Sequence, residues 1–362
     1  MQKIDKKDLE KYIGREDMSV VDAMKKINDN ARGILYIINE SGRLIGSLSD
    51  GDIRRGIIRN PDLTQKISGM VFSSVRSIKK QNYEIVDQYM DEKLIQSVPV
   101  IDDDGSVVDI CFRHPRIGFF DCVPSKSLHK VPVVIMAGGK GARLYPYTRV
   151  IPKPLIPIDG IPILERIMKR FHQFGVDEFI LSVNYKKGMI KSYFADADID
   201  YKISFVEEDM PLGTVGSLCL IEKRISGPFF ITNCDIYIQM DYNKAMDFHI
   251  ANKNDVTIVS SIKSMEIPYG VIHPKENGVV EFLEEKPVHS FLVNTGMYIL
   301  NPEYLSWIPK HQPYDMTDLI SRMLEKGRKV GMFPVGEDSF LDMGEFDEMK
   351  RMEEKLTNGM VE

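Results

Sequence analysis

At 362 residues the chain exceeds one typical domain, and 43% hydrophobic with 28% charged residues is an ordinary globular composition with material for a proper core. A formal net charge of −6 argues against a nucleic-acid coat or an anionic-membrane binder, although local basic clusters can still hold phosphates. The four cysteines, at 111, 122, 219 and 234, form no Cys-x-x-Cys pair and have no histidine at zinc spacing, so they read as buried free thiols. The charged start Met1-Gln2-Lys3-Ile4-Asp5 lacks a signal-peptide core, and no later run is long enough to span a membrane, so a cytoplasmic location is expected.

Residues 34 to 48, slid forward by 63 positions, find an echo. Leu35-Tyr36-Ile37-Ile38 followed by Asn39-Glu40-Ser41-Gly42 overlies Val98-Pro99-Val100-Ile101 followed by Asp102-Asp103-Asp104-Gly105. Each copy is an apolar strand, a polar turn closing on glycine and a second strand, which is a hairpin signal. Helices are expected before them over Val20 to Ile27 and Glu84 to Met90, giving a pseudo-twofold pair. The first copy continues Ser49-Asp50-Gly51-Asp52-Ile53, which resembles the end of a CBS motif, named for cystathionine β-synthase, whose units work in tandem. The resemblance implies that Ser49 and Asp52 hold the phosphate and ribose of an adenine nucleotide. In the second copy Phe112 and Pro115 stand at those places, so at most one good nucleotide site is expected. Retention of the pair for packing or oligomerisation fits the residues equally well. Residues 119 to 131, with Pro124, Ser125 and Lys126, read as a linker.

Val131 to Met136 is a short β-branched apolar run, as expected of a buried parallel strand. It opens into Ala137-Gly138-Gly139-Lys140-Gly141-Ala142-Arg143-Leu144, followed by Pro152-Lys153-Pro154-Leu155. The glycines at 138, 139 and 141 let backbone N–H groups approach phosphate oxygens, and Arg143 and Lys153 add positive charge. A Walker loop is excluded because no Lys-Ser/Thr pair follows the second glycine. A dinucleotide fingerprint is excluded because Leu144 occupies its small-residue position. From here strands at Phe179–Val183, Ile203–Val206, Phe229–Thr232 and Val256–Ser261 alternate with helices at Ile163–Phe174, Lys187–Phe194, Thr214–Lys223 and Asp241–Ala251, the pattern of a parallel α/β sheet. Ligand sites in such sheets lie beyond the strand carboxyl ends.

The loop, with Pro211-Leu212-Gly213-Thr214, Asn233-Cys234-Asp235, Glu284-Glu285-Lys286-Pro287, Asn294-Thr295-Gly296 and Leu341-Asp342-Met343-Gly344 in that order, resembles the sugar-1-phosphate nucleotidyltransferases over about residues 131 to 350. The fold implied is α/β, a mixed and mainly parallel Rossmann-like nucleotidyltransferase sheet preceded by a tandem CBS (α+β) pair. The expected division is a regulatory pair at 1–120, a linker at 121–130 and the transferase at 131–362. The reaction implied is attack by a sugar 1-phosphate oxygen on the α-phosphorus of a nucleoside triphosphate, releasing pyrophosphate. Both reactants are anions, so the work is mostly electrostatic.

The resemblance assigns Gly138, Gly139, Gly141, Glu208 and Gly213 to the nucleotide, and Arg143, Lys153 and Lys286 to the phosphates. Glu285, Asn294 and Gly296 are assigned to the sugar, and Asp235 with Asp342 to Mg²⁺. Two carboxylates suffice for an ion that draws its other ligands from phosphates and water. Cys234 departs from the family's usual glycine. GTP is the favoured nucleotide, with UTP or CTP as alternatives. The expected role is to activate a sugar for surface-glycan or nonulosonate precursors, in a homo-oligomer. A competing expectation is a catalytically inactive adenine-nucleotide sensor.

Overall fold

The computed structural model describes residues 2–3, 8–30, 32–93, 95–113 and 127–358. Pro115, Cys122 and the linker residues Pro124, Ser125 and Lys126 lie outside the described residues. The chain divides into two compact units, Met1–Asp121 with Ile262–Phe291 and Cys122–Ser261 with Leu292–Glu362.

In the first unit the sequence echo is a structural repeat. Strand Ile13–Arg15 pairs parallel with Ile34–Ile38, which pairs antiparallel with Leu44–Ser49. Ile78–Lys79, Ser97–Ile101 and Val107–Phe112 repeat that order, and the register repeats too, with Tyr36 opposite Ser47 and Pro99 opposite Ile110. Helix Val20–Asn30 buries Val20, Ala23, Met24 and Ile27, the spacing of an amphipathic helix. The second copy's helix starts at Val86 rather than Glu84, because Lys80–Ile85 form a tighter turn interrupted at Asn82. The unit also contains an antiparallel hairpin in which Gly270–Pro274 faces Val280–Glu285, all six residues of the second strand being exposed.

The second unit is built on a seven-stranded sheet in the order Lys202–Glu207, Glu178–Val183, Val133–Ala137, Phe229–Asn233, Val288–Leu300, Val256–Glu266 and Val330–Val335. The first four strands are mutually parallel, and Val288–Leu300 returns antiparallel to Phe229–Asn233. Alternate residues of one strand enter different cores: Val133 and Ile135 one cluster, Val134 and Met136 another. Burial on both faces explains the unbroken apolar run of this strand. Phe171, on helix Ile163–Gln173, stacks on Tyr242 with ring centroids 4.2 Å apart and meets Phe230 edge-on at 5.3 Å, which pins that helix to the sheet.

The helix expected over Thr214–Lys223 is only a short 3₁₀ turn, Gly216–Leu220. Its first backbone donors are taken elsewhere, Thr214 N–H by Asp315 Oδ1 at 2.8 Å and Val215 N–H by the Tyr314 carbonyl at 3.1 Å. Thr214 therefore does not cap a helix of its own. Its Oγ1 accepts from Met316 N–H at 2.9 Å, at the start of helix Met316–Glu325.

Phe171→Ala is expected to lower the stability of this unit by about 3–5 kcal/mol, seen as a lower denaturation midpoint at unchanged m. A loss below about 1 kcal/mol would contradict the placement of Phe171 as the central contact between helix and sheet.

Candidate active site

Because four neighbouring strands are parallel, Gly138, Asn184, Glu208 and Cys234 all follow carboxyl ends at one edge of the sheet. Gly138, Glu208 and Cys234 line a cavity of about 440 Å³. Its lining includes the three signature glycines together with Arg143, Lys153, Glu208, Gly213 and Asp235. These cationic and acidic side chains thus line one cavity.

Each signature glycine has its own reason. A Cβ on Gly138 would stand 3.1 Å from Glu208 Oε1. Gly141 has a φ of +63°, and its Cβ would lie 2.9 Å from the Thr148 methyl group. Gly139 meets nothing within 4 Å, so its space opens onto the cavity, as close approach of a ligand to the backbone requires. Gly213, at φ +77°, has no room for a side chain, since a Cβ would lie 2.8 Å from the Tyr314 carbonyl.

The Lys153 ammonium, itself buried, is ion-paired with Asp235. Asp342 is brought beside Asp235 by an antiparallel pair of short strands, with Ile236 opposite Asp342 and Met343 N–H bonded to the Asp235 carbonyl at 2.8 Å. Burial first, and the neighbouring Asp235 carboxylate second, raise the pKa of Asp342 above the usual carboxylate value. Two carboxylates held together in a partly desolvated rim form a donor set that suits a hard divalent cation with open positions. No cluster of three or more acidic, histidine or cysteine ligands occurs among the described residues, so water or substrate oxygens would complete the shell. Cys234 lines the same cavity, where burial pushes its thiol pKa well up and leaves it a thiol, not a nucleophile, at neutral pH.

Glu208 is buried, with Oε1 2.6 Å from Ser182 Oγ and Oε2 accepting from Leu212 N–H at 3.2 Å. A second cavity of about 240 Å³ shares Thr214 and Asn233 with the first and adds Tyr298, Asp315 and Thr317. Asn294 and Gly296 line neither cavity but touch residues that do. Asn294 Nδ2 donates to Tyr298 Oη at 2.7 Å, and a Cβ on Gly296 would meet Asn233 Nδ2 at 2.6 Å. Glu285 and Lys286 end the exposed hairpin of the first unit, Lys286 with a φ of +48°. The clamp between Thr214 and Asp315 went unread in the sequence because its partners are 101 residues apart.

A family model described as Nucleotidyl transferase matches residues 132–359. The chain belongs to the nucleotidyl transferase family. A CBS domain model matches residues 15–59 of this transferase, the first of the two N-terminal copies. It is 32% identical over 216 residues to a UTP–glucose-1-phosphate uridylyltransferase from Synechocystis, covering 54% of this chain and 55% of that protein. It is 30% identical over 188 residues to a mannose-1-phosphate guanylyltransferase from Mycobacterium tuberculosis, covering 51% and 52%. The transferase thus spans about half the length of the curated relatives it matches. Among solved structures it is similar to HddC from Yersinia pseudotuberculosis, with 29% identity and a TM-score of 0.50 over 62% of this chain and 99% of that one. The fold is also that of a putative glucose-1-phosphate thymidylyltransferase from Bacillus anthracis, with 21% identity and a TM-score of 0.51 over 62% of this chain and 94% of that one.

In the N-terminal CBS domain, Ser49 and Asp52 bind each other. Ser49 N–H donates to Asp52 Oδ2 at 2.9 Å, Ser49 Oγ lies 2.6 Å from the same oxygen, and Arg55 pairs with Oδ1 at 2.5 Å. This is the capping box of helix Asp50–Arg59. A cavity of about 450 Å³ in this unit is lined by Tyr36, Ser47, Phe72, Ser74, Arg76 and Ser97 among others, and neither Ser49 nor Asp52 lines it.

Asp342→Asn is expected to raise the stability of the ligand-free protein at neutral pH, since the ionised Asp342 is disfavoured in the fold relative to the unfolded chain. The sign follows from linkage: a raised carboxyl pKa makes the folded state bind the proton first, so the penalty is relieved as pH falls through that pKa. Melting temperatures of wild type and variant should therefore differ most near neutral pH and converge in acid. A variant that melts lower than wild type at neutral pH would refute the repulsion.

Proposed function

We propose that this transferase passes a nucleoside monophosphate from a triphosphate, GTP favoured, to a sugar 1-phosphate, giving an NDP-sugar and pyrophosphate. The observation that carries this reading is one cavity lined by Arg143, Lys153 and Asp235 together with Glu208 and Gly213. In the reaction an oxygen of the sugar phosphate forms a bond to the α-phosphorus, and the bond from that phosphorus to the β-bridging oxygen breaks. Arg143 and Lys153 supply the charge that lets two phosphate esters approach. The backbone N–H groups around Gly138, Gly139 and Gly141 hold phosphate oxygens. Asp235 and Asp342 would hold Mg²⁺, which supplies screening of the phosphate charge.

The nucleobase follows from the chemistry of Glu208. An ionised carboxylate only accepts hydrogen bonds and can take two in parallel. Guanine offers two adjacent donors on its Watson–Crick edge, whereas uracil offers one donor between two carbonyl oxygens, which a carboxylate repels. Glu208 therefore supports GTP over UTP, and Gly213 leaves the neighbouring backbone free to approach the base. The sugar is read by Asn294 and Gly296, and the product suits assembly of surface-glycan or nonulosonate precursors. The catalytically inactive alternative is disfavoured by the convergence of Arg143, Lys153 and Asp235.

Pyrophosphate release should be measured with four nucleoside triphosphates against mannose, glucose, heptose and glucosamine 1-phosphates. Turnover with GTP and one of these sugars is expected. No turnover with any pair would overturn the reading, and turnover that ignores GTP would overturn the base assignment. Asp235→Asn should lower Mg²⁺-dependent turnover by roughly a hundredfold or more without unfolding the chain; near-normal rates would remove Asp235 from the metal site.

The CBS pair is proposed to bind an adenine nucleotide through Ser49 and Asp52 and to bias the transferase. Binding would require Asp52 to share or release Arg55. AMP or ATP is expected to change the rate or the substrate affinity, and no effect on either would reject this regulation.

A further inference from the structure

Ser182 occupies an odd place for a hydroxyl. It is the last residue on its side of strand Glu178–Val183, in line with Ile180, which packs into an apolar cluster with Val134, Met136 and Val206. It is 1% exposed, and so is Ser217 in the 3₁₀ turn 35 residues on. A buried hydroxyl without a partner is costly, so these two need a use.

Their use is each other and Glu208. Ser182 Oγ lies 2.6 Å from Glu208 Oε1 and 2.8 Å from Ser217 Oγ. Ser182 Oγ is the donor toward both partners, and its single proton serves the carboxylate at the shorter distance, with the Ser217 hydroxyl beside it as an alternative acceptor. Leu212 N–H holds the other carboxylate oxygen at 3.2 Å. Both donors to Glu208 are neutral, and each leaves an oxygen with further capacity to accept. Gly138 keeps the cavity side of Oε1 clear, since a Cβ there would stand 3.1 Å from it.

We infer that Ser182 is a positioning residue for nucleotide selection: its buried hydrogen bond fixes the direction in which the Glu208 carboxylate faces the base. The inference rests on the base assignment above and adds that a residue without nucleotide contact sets the preference. Removing the Ser182 hydroxyl leaves Glu208 Oε1 without its buried donor and frees the side chain to turn. The loss falls on the nucleotide that needs two parallel bonds, not on triphosphate binding in general.

The test is equilibrium binding of GTP and of UTP, each with Mg²⁺, to wild type, Ser182→Ala, Ser217→Ala, Ser182→Thr, Glu208→Gln and the Ser182→Ala/Glu208→Gln double variant. Ser182→Ala should cut the GTP-over-UTP preference roughly tenfold, whereas Ser182→Thr, which keeps the hydroxyl, and Ser217→Ala, which removes only the alternative acceptor, should change it little. In the Glu208→Gln background Ser182→Ala should remove no further preference. If Glu208→Gln loses the preference while Ser182→Ala keeps it, the contact is only packing and the inference falls while the base assignment stands. Equal weakening of GTP and UTP by Ser182→Ala also overturns it. If Glu208→Gln keeps the wild-type preference, the base assignment itself fails. Should Ser182→Ala not fold, Ser182→Cys, whose thiol is a weak donor, decides by the same criterion.

Discussion

Holding Asp235 and Asp342 side by side in a rim shielded from water is electrostatically unfavourable, and much of the surrounding structure exists to enforce it. Backbone pairing does the enforcing: Ile236 lies opposite Asp342, and Met343 N–H is tied to the Asp235 carbonyl, so neither carboxylate can retreat. Lys153 offsets the charge on Asp235, while Asp342 keeps a raised pKa. Strain of this kind is common where a site must take up a cation, because the cation converts repulsion into binding. Gly344 fits the same logic, since a side chain there would crowd the Asp342 carboxylate at 3.2 Å and Arg143 Nη1 at 3.4 Å.

The cavity combines two kinds of chemistry. Arg143, Lys153 and Asp235 are charged and stand on loops with the signature glycines. Glu208 is buried and held by neutral donors, which suits recognition of a flat heterocycle by hydrogen bonds. Parallel strands make this combination possible, because their carboxyl ends deliver loops of independent sequence to one edge. Thr214 and Asp315 then fasten the loop after Glu208 to the start of helix Met316–Glu325, which limits how far that loop can move.

In the CBS domain the two residues proposed to hold a nucleotide already have a structural task. Ser49 and Asp52 satisfy the first turn of their helix, and Arg55 neutralises the carboxylate. A ligand at this place has to replace bonds already made, so any affinity reflects a difference between two satisfied states.

Much of the architecture was legible because it is local. An unbroken apolar run rich in β-branched residues marked Val133–Ala137, the repeat spacing marked the paired hairpins, and the glycine loop with Pro152-Lys153-Pro154 marked one part of the cavity lining. What stayed hidden involves side chains whose partners are distant in sequence. The helix expected from Thr214 onward is not formed and Thr214 instead bonds the start of another helix, and only tertiary packing places Ser182 and Ser217 beside Glu208. The sequence by itself determined which elements form and which charges end their strands, since backbone sterics and hydrophobic period act over a few residues. Only the tertiary structure decided which of those charges meet and which hydroxyls steer them, because hydrogen bonds and Coulomb forces depend on distances that chain connectivity does not set.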